Sequence, residues 1–242
     1  MLKNNKYFKI LNKVTNKKLR LFCFPYAGGS ASIYLPFKDK IGDEIELIAV
    51  QLTGRAERMF EDPIKNMDEL VNILYAQISH SLNEPFAFFG HSMGGSIAYA
   101  LAKKIEQHSS NKPEFIVISA TRPPYIHNQN NNHSLDDKAL INVLKENKAS
   151  PKEVLDSKEL MEMILPSIRA DYQLIETYKT PRTPTLLTPT IIFNDEDDIG
   201  KEIILSWQEY IKNEIKYVKF SGGHFFIHSQ VDAIIKEIKN II

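Results

Sequence analysis

Two short stretches of the chain hold residues whose types and spacing could do chemistry. One is Gly90-His91-Ser92-Met93-Gly94, a G-x-S-x-G pattern, and the other is Gly222-Gly223-His224 near the C-terminal end. A serine hydroxyl is a weak nucleophile until a base takes its proton. The base in turn needs a third group to hold its tautomer and to stabilise the imidazolium that forms. The chain offers that third group between the other two, in the run Asp195-Glu196-Asp197-Asp198. Serine, acid and histidine in this order are the set expected when the nucleophile sits on a strained strand-to-helix turn. Within the acidic run Asp198 is preferred to Asp197. A glycine commonly lies three residues before such an acid, and that place is held by Asp195 for Asp198 or by Asn194 for Asp197. Both residue types tolerate the left-handed backbone, so the turn can form. The other carboxylates of the run read as solvated.

The elements around these residues are those the chemistry needs. Phe86-Ala87-Phe88-Phe89 is an uninterrupted apolar run suited to a buried parallel strand, and the Ala-rich segment from Ser96 suits a buried helix. The turn between them would stand Ser92 clear of both elements. It would also aim the backbone N–H of Met93, at the start of the helix, at the spot where charge develops on a substrate oxygen. Further strands are expected at Leu19–Phe24, Glu46–Val50, Phe115–Ser119, Thr190–Phe193 and Lys216–Phe220, with helices between them. The acidic run and the Gly-Gly-His segment each follow one of these strands. Strands alternating with helices indicate an α/β fold with a mostly parallel central sheet covered on both faces.

Between about residues 127 and 185 the alternation breaks. An Asn-rich stretch is followed by helical segments at Leu135–Glu146, shortly after Pro151, and in a longer piece interrupted by Pro166, with Leu165, Ile168, Tyr172 and Ile175 on one stripe. This is expected to be a helical lid inserted over the carboxyl edge of the sheet. Asn66–Leu82 reads as an amphipathic helix capped by Asn66, Gly200–Lys212 as a helix with Ile203, Ile204, Trp207 and Ile211 inward, and Ser229 onward as the closing helix. Tyr26-Ala27-Gly28-Gly29-Ser30 is a flexible loop after the first strand, able to aim an N–H at a substrate oxygen. Arg55 and Arg58 in the loop after Val50 read as solvated.

Bulk properties limit the function classes. With 242 residues the chain suits a single α/β domain, here taken as residues 1–242. Thirty Lys and Arg balance thirty Asp and Glu, so there is no electrostatic bias toward nucleic acid or an anionic membrane. No apolar run reaches the roughly 18 residues of a membrane span, and Met1–Lys18 lacks the apolar core of a secretory signal. A cytoplasmic protein is expected. Cys23, the single cysteine, lies in an apolar run and reads as a buried structural thiol. No cluster with metal-ligand spacing is read among the histidines, so neither metal nor cofactor is expected.

Five stretches together resemble the stand-alone type II thioesterases of nonribosomal peptide and polyketide synthetase systems, within the α/β-hydrolase superfamily. They are Leu21-Phe22-Cys23-Phe24-Pro25-Tyr26-Ala27-Gly28-Gly29-Ser30, Gly54-Arg55 with Arg58, Phe89-Gly90-His91-Ser92-Met93-Gly94-Gly95, Ile168-Arg169-Ala170-Asp171-Tyr172 and Gly222-Gly223-His224-Phe225-Phe226. The resemblance implies hydrolysis of acyl groups from the phosphopantetheine arm of an acylated carrier protein, clearing misprimed or stalled units. It implies a triad of Ser92, Asp198 and His224 and an oxyanion hole from the N–H groups of Ala27 and Met93. The chain departs from the family in the acidic loop, which lacks the usual glycine, and at Thr53, where proline is common. Asp171 is a weaker alternative acid, since it falls on an expected lid helix. Two other functions remain to be separated: a carboxylesterase or lipase on free esters, and an inactive module that binds carrier protein. A monomer is expected.

Overall fold

The computed structural model describes residues 5–127, 129–146 and 157–242; the helical piece expected just after Pro151 lies outside them. Seven strands form one sheet in the order β1-β3-β2-β4-β5-β6-β7. They are β1 (Phe8–Ile10), β2 (Leu19–Phe24), β3 (Ile45–Val50), β4 (Phe86–His91), β5 (Ile116–Ser119), β6 (Thr190–Asn194) and β7 (Lys216–Lys219). All pairs are parallel except β1 with β3. The mostly parallel sheet is the expected one. The antiparallel edge strand β1 is an addition to it, laid where Phe8 and Ile10 alternate with Lys9.

Every residue of β4 is buried, because helices cover both faces of the sheet. Side chains alternate across it: Phe22, Phe24 and Phe88 enter one core cluster, while Leu21, Cys23, Ala87 and Phe89 enter the other. On the first face lie the helices α1 (Met67–Ile78) and α2 (Met93–His108). Asn66 caps α1 as expected, its Oδ1 accepting the Glu69 N–H at 2.9 Å. The C-terminal helix (Val231–Ile241) covers the other face through Val231, Ile234, Ile235 and Ile238.

Among the described residues between β5 and β6 are the helices α3 (Asp137–Glu146) and α4 (Lys158–Glu176). Leu140 and Leu144 of α3 meet Met161, Leu165 and Ile168 of α4 in a small cluster of their own. Contrary to expectation, Pro166 does not interrupt α4. Proline removes one N–H from the ladder, and the Ser167 hydroxyl donates to the Ile164 carbonyl at 2.8 Å within the same turn. The segment read as one helix over 200–212 is also different. It runs as α-helix only over Lys201–Leu205 and tightens to a 3₁₀ turn at Ser206–Glu209. Ile203 is left exposed at 39%, and Ile211 bridges to Leu186 as a strand residue.

Candidate active site

Four loops at the carboxyl ends of the strands meet at Ser92. The turn from β4 into α2 puts Ser92 at φ 54°, ψ −121°, a conformation that side-chain-bearing residues rarely adopt. The close approach behind it leaves no room for a methyl group at the flanking glycines. A Cβ at Gly90 would fall 2.1 Å from the Gly94 carbonyl oxygen, and one at Gly94 would fall 2.0 Å from that of Phe24. The Ser92 N–H donates to the Ser119 carbonyl at 2.8 Å and the Ser92 carbonyl accepts from the Thr121 hydroxyl at 2.8 Å, so the strained turn is held from β5. Met93 opens α2, where first-turn N–H groups have no intrahelical acceptor.

His224 Nε2 lies 3.0 Å from Ser92 Oγ, and His224 Nδ1 lies 2.6 Å from Asp198 Oδ2. A carboxylate only accepts, so Nδ1 carries the ring proton and Nε2 is left to accept from the serine hydroxyl. Of the two aspartates weighed within the acidic run, Asp198 is the one against the histidine; Asp197 is exposed. Ser92, His224, Asp198 and Ala27 line one cavity of about 380 Å³, to which Tyr172, Ile175 and Glu176 of α4 also contribute.

Other expectations are corrected. Asp195 is not solvated: it is 3% exposed, and its carboxylate accepts from the N–H groups of Asp197 at 3.0 Å and Gly223 at 2.7 Å. Burial by itself would raise its pKa, but the N–H groups of Asp197, Gly223 and Gly222 outweigh it and hold the carboxyl below the usual value. Its backbone is not left-handed either, so the missing glycine costs no strain here. Asp195 therefore ties the loop carrying Asp198 to the loop carrying His224.

Arg55 and Arg58 are also buried, at 7% and 5% exposure. Arg58 pairs with Glu61, donates to the Gln51 carbonyl at 3.0 Å and lies 4.0 Å over the Tyr7 ring. Arg55 makes a two-pronged pair with Asp171, at 2.6 and 2.7 Å. Asp171 is engaged elsewhere: its carboxylate serves Arg55 and the Gly28 N–H, while His224 Nδ1 meets Asp198.

His91, in the sequence only the second residue of the Gly-x-Ser-x-Gly pattern, sits directly behind the site, fully buried. Its Nε2 is 2.8 Å from the His224 carbonyl and its Nδ1 is 2.9 Å from Ser119 Oγ. Burial, then the nearby His224, push its pKa well down, so the ring is neutral. His228, four residues after His224, meets the Tyr26 hydroxyl at 3.1 Å instead. No local signal in the sequence separates these histidines from solvated ones.

The family model of the thioesterase domain matches residues 19–242. The chain belongs to the thioesterase domain family. It is 33% identical to the gramicidin S biosynthesis protein GrsT of Aneurinibacillus migulanus, over 98% of this chain and 96% of that one. Among solved structures, the type II thioesterase BorB from the borrelidin biosynthetic cluster superposes with a TM-score of 0.87 at 31% identity, covering 97% of each chain. The RedJ thioesterase of the prodiginine biosynthetic pathway in Streptomyces coelicolor gives 0.87 at 29% identity, covering 93% of this thioesterase and 91% of RedJ. The fold is accordingly of the α/β-hydrolase type. Among the described residues, no helix of this thioesterase is long and apolar enough to cross a membrane.

Proposed function

We propose that this thioesterase hydrolyses acyl groups from the phosphopantetheine arm of a carrier protein in a nonribosomal peptide or polyketide system, acting as a cytoplasmic monomer. Ser92 is the nucleophile, His224 the general base and then acid, and Asp198 the group that orients and stabilises the imidazolium. The N–H groups of Ala27 and Met93 form the oxyanion hole. Residues 1–242 act as one domain in which the segment at about 127–185 is the lid. The observation that carries this reading is the unbroken contact from Asp198 through His224 to Ser92 Oγ, at 2.6 and 3.0 Å.

The reaction follows from the geometry. As Ser92 Oγ attacks the thioester carbonyl, His224 Nε2 takes its proton, and the negative charge on the carbonyl oxygen is met by the two backbone N–H groups. Collapse breaks the C–S bond, and the proton on Nε2 passes to the departing thiol. Water then enters, gives a proton to the same nitrogen and attacks the acyl-serine ester. Release of the free acid returns the proton to Ser92. Tyr172, Ile175 and Glu176 of α4 line the same cavity as Ser92, which supports α4 as a wall of the acyl pocket.

The test is to expose acylated carrier protein to the purified enzyme and follow loss of the acyl mass. Unloading by the wild type and none by Ser92→Ala is expected. A wild-type rate from Ser92→Ala would refute the mechanism. A higher kcat/KM for simple oxygen esters of the same acyl group than for the carrier-bound thioester would replace it with an esterase.

A further inference from the structure

Two of the stretches that resemble the family, Gly54-Arg55 and Arg169-Ala170-Asp171-Tyr172, take no part in the proposed chemistry, yet the structure joins them. Arg55 Nη1 and Nη2 donate to Asp171 Oδ2 and Oδ1 at 2.6 and 2.7 Å. The Gly28 N–H donates to the same Oδ2 at 2.7 Å, and Arg55 also reaches the carbonyls of Gly29 at 3.3 Å and Thr53 at 3.2 Å. Asp171 is 1% exposed, so this carboxylate is fully committed to three donors.

Tyr26 to Gly29 is a tight turn, closed by the Gly29 N–H on the Tyr26 carbonyl at 2.9 Å. Gly28 at φ 77° gives it the type II form, in which the third residue must be left-handed. Ala27, the proposed oxyanion donor, is the second residue of that turn. The Ala27–Gly28 peptide can face either way in a free turn. Here its N–H is captured by Asp171, and reversal would point the Ala27 carbonyl at a carboxylate instead. The turn is gripped a second time by α4: a Cβ on Gly28 would lie 3.3 Å from Ile168 Cγ1, one turn before Asp171 on the same helix face.

We infer that Arg55 and Asp171 are positioning residues that anchor the Tyr26–Gly29 turn to α4 through the Gly28 N–H, and so set where the Ala27 N–H, carried by the peptide just before, stands in the oxyanion hole. A buried ion pair is a poor source of stability, since apolar replacements of similar volume often do as well. Its value here lies in fixing where the turn sits. The inference rests on the proposed role of Ala27.

The test uses Asp171→Ala and the apolar double variant Arg55→Met/Asp171→Leu, with Tm for each and active sites counted by fluorophosphonate labelling. Per active site, Asp171→Ala is expected to lose about 10- to 100-fold in kcat, with KM for acyl-pantetheine nearly unchanged. Affinity for an alkylboronic acid, whose serine adduct mimics the tetrahedral intermediate, is expected to fall by the same factor. The double variant should recover Tm yet keep the low kcat, because Gly28 still has no acceptor. Recovery of kcat along with Tm, or a loss carried by KM with boronate affinity intact, would overturn the inference and leave the pair a structural one. If the wild type itself fails to unload carrier protein, the proposed function falls; wild-type activity with an unimpaired Asp171→Ala removes this inference alone.

Discussion

His91 Nε2 lies 2.8 Å from the backbone carbonyl of His224, so the residue preceding the candidate nucleophile supports the loop that carries the candidate base. A carbonyl can only accept, which makes Nε2 the protonated nitrogen. The bare Nδ1 then accepts from the Ser119 hydroxyl at 2.9 Å. One neutral ring thereby links β5, the nucleophile turn and the His224 loop.

Replacing His91 by phenylalanine keeps an apolar ring but leaves the His224 carbonyl without its donor. A stability loss of about 1–3 kcal/mol is expected from the unsatisfied group, with kcat falling and KM little changed. Urea denaturation and steady-state kinetics on an acyl-pantetheine measure both. An unchanged kcat would show that the His224 loop holds its place without this bond.

The pH dependence of stability follows from two histidines, His91 fully buried and His127 half-buried. His91 has its pKa pushed well down by burial and then by His224, and His127 is lowered to about 4 by burial and then by Arg122. Both stay neutral in the fold but take up protons in the unfolded chain near pH 6.5. The unfolded state therefore gains protons first as pH falls. Stability is full above about 6.5 and decreases below it, by on the order of 1 kcal/mol per pH unit for each ring. Unfolding free energies at pH 8, 6.5 and 5 test this, and His127→Gln should flatten the decline.

Asp198 and Asp197 are separated by isosteric amides. Asp198→Asn is expected to lower kcat by about 10⁴-fold, since it loses the charge and favours the wrong histidine tautomer. Asp197→Asn, whose side chain is exposed, should leave kcat close to wild type. Equal losses in the two variants would reject the assignment.

Asp195→Ala frees the N–H groups of Asp197 and Gly223 and unties the two loops at once. A loss of about 1–3 kcal/mol in stability is expected. Because the folded carboxyl titrates below its usual value, its contribution is present above about pH 4 and is lost as pH falls further. The wild-type and variant stabilities should therefore converge in strong acid, as followed by chemical denaturation at pH 7 and pH 3.

Gly94→Ala would place a Cβ 2.0 Å from the Phe24 carbonyl oxygen, a backbone atom that cannot yield without moving β2. A cost of about 3 kcal/mol or more is expected, seen as a large drop in Tm or loss of soluble protein.

The strands other than β1 were legible in the residues themselves. Continuous apolar runs report which backbone lies in a sheet covered on both sides, and the glycines at 90 and 94 announce a turn too tight for side chains. The carboxylate against His224 is the one preferred from the acidic run, with Asp197 and Asp171 as the alternatives. What local pattern does not carry is partnership across the fold. Arg55 and Asp171 are 116 residues apart, and a buried arginine has the same neighbours in sequence as a solvated one. His91, Asp195 and the Gly28 N–H acquire their partners only when four loops converge at the ends of parallel strands. That convergence decides them because a buried polar group must find whatever donor or acceptor packing brings within about 3 Å.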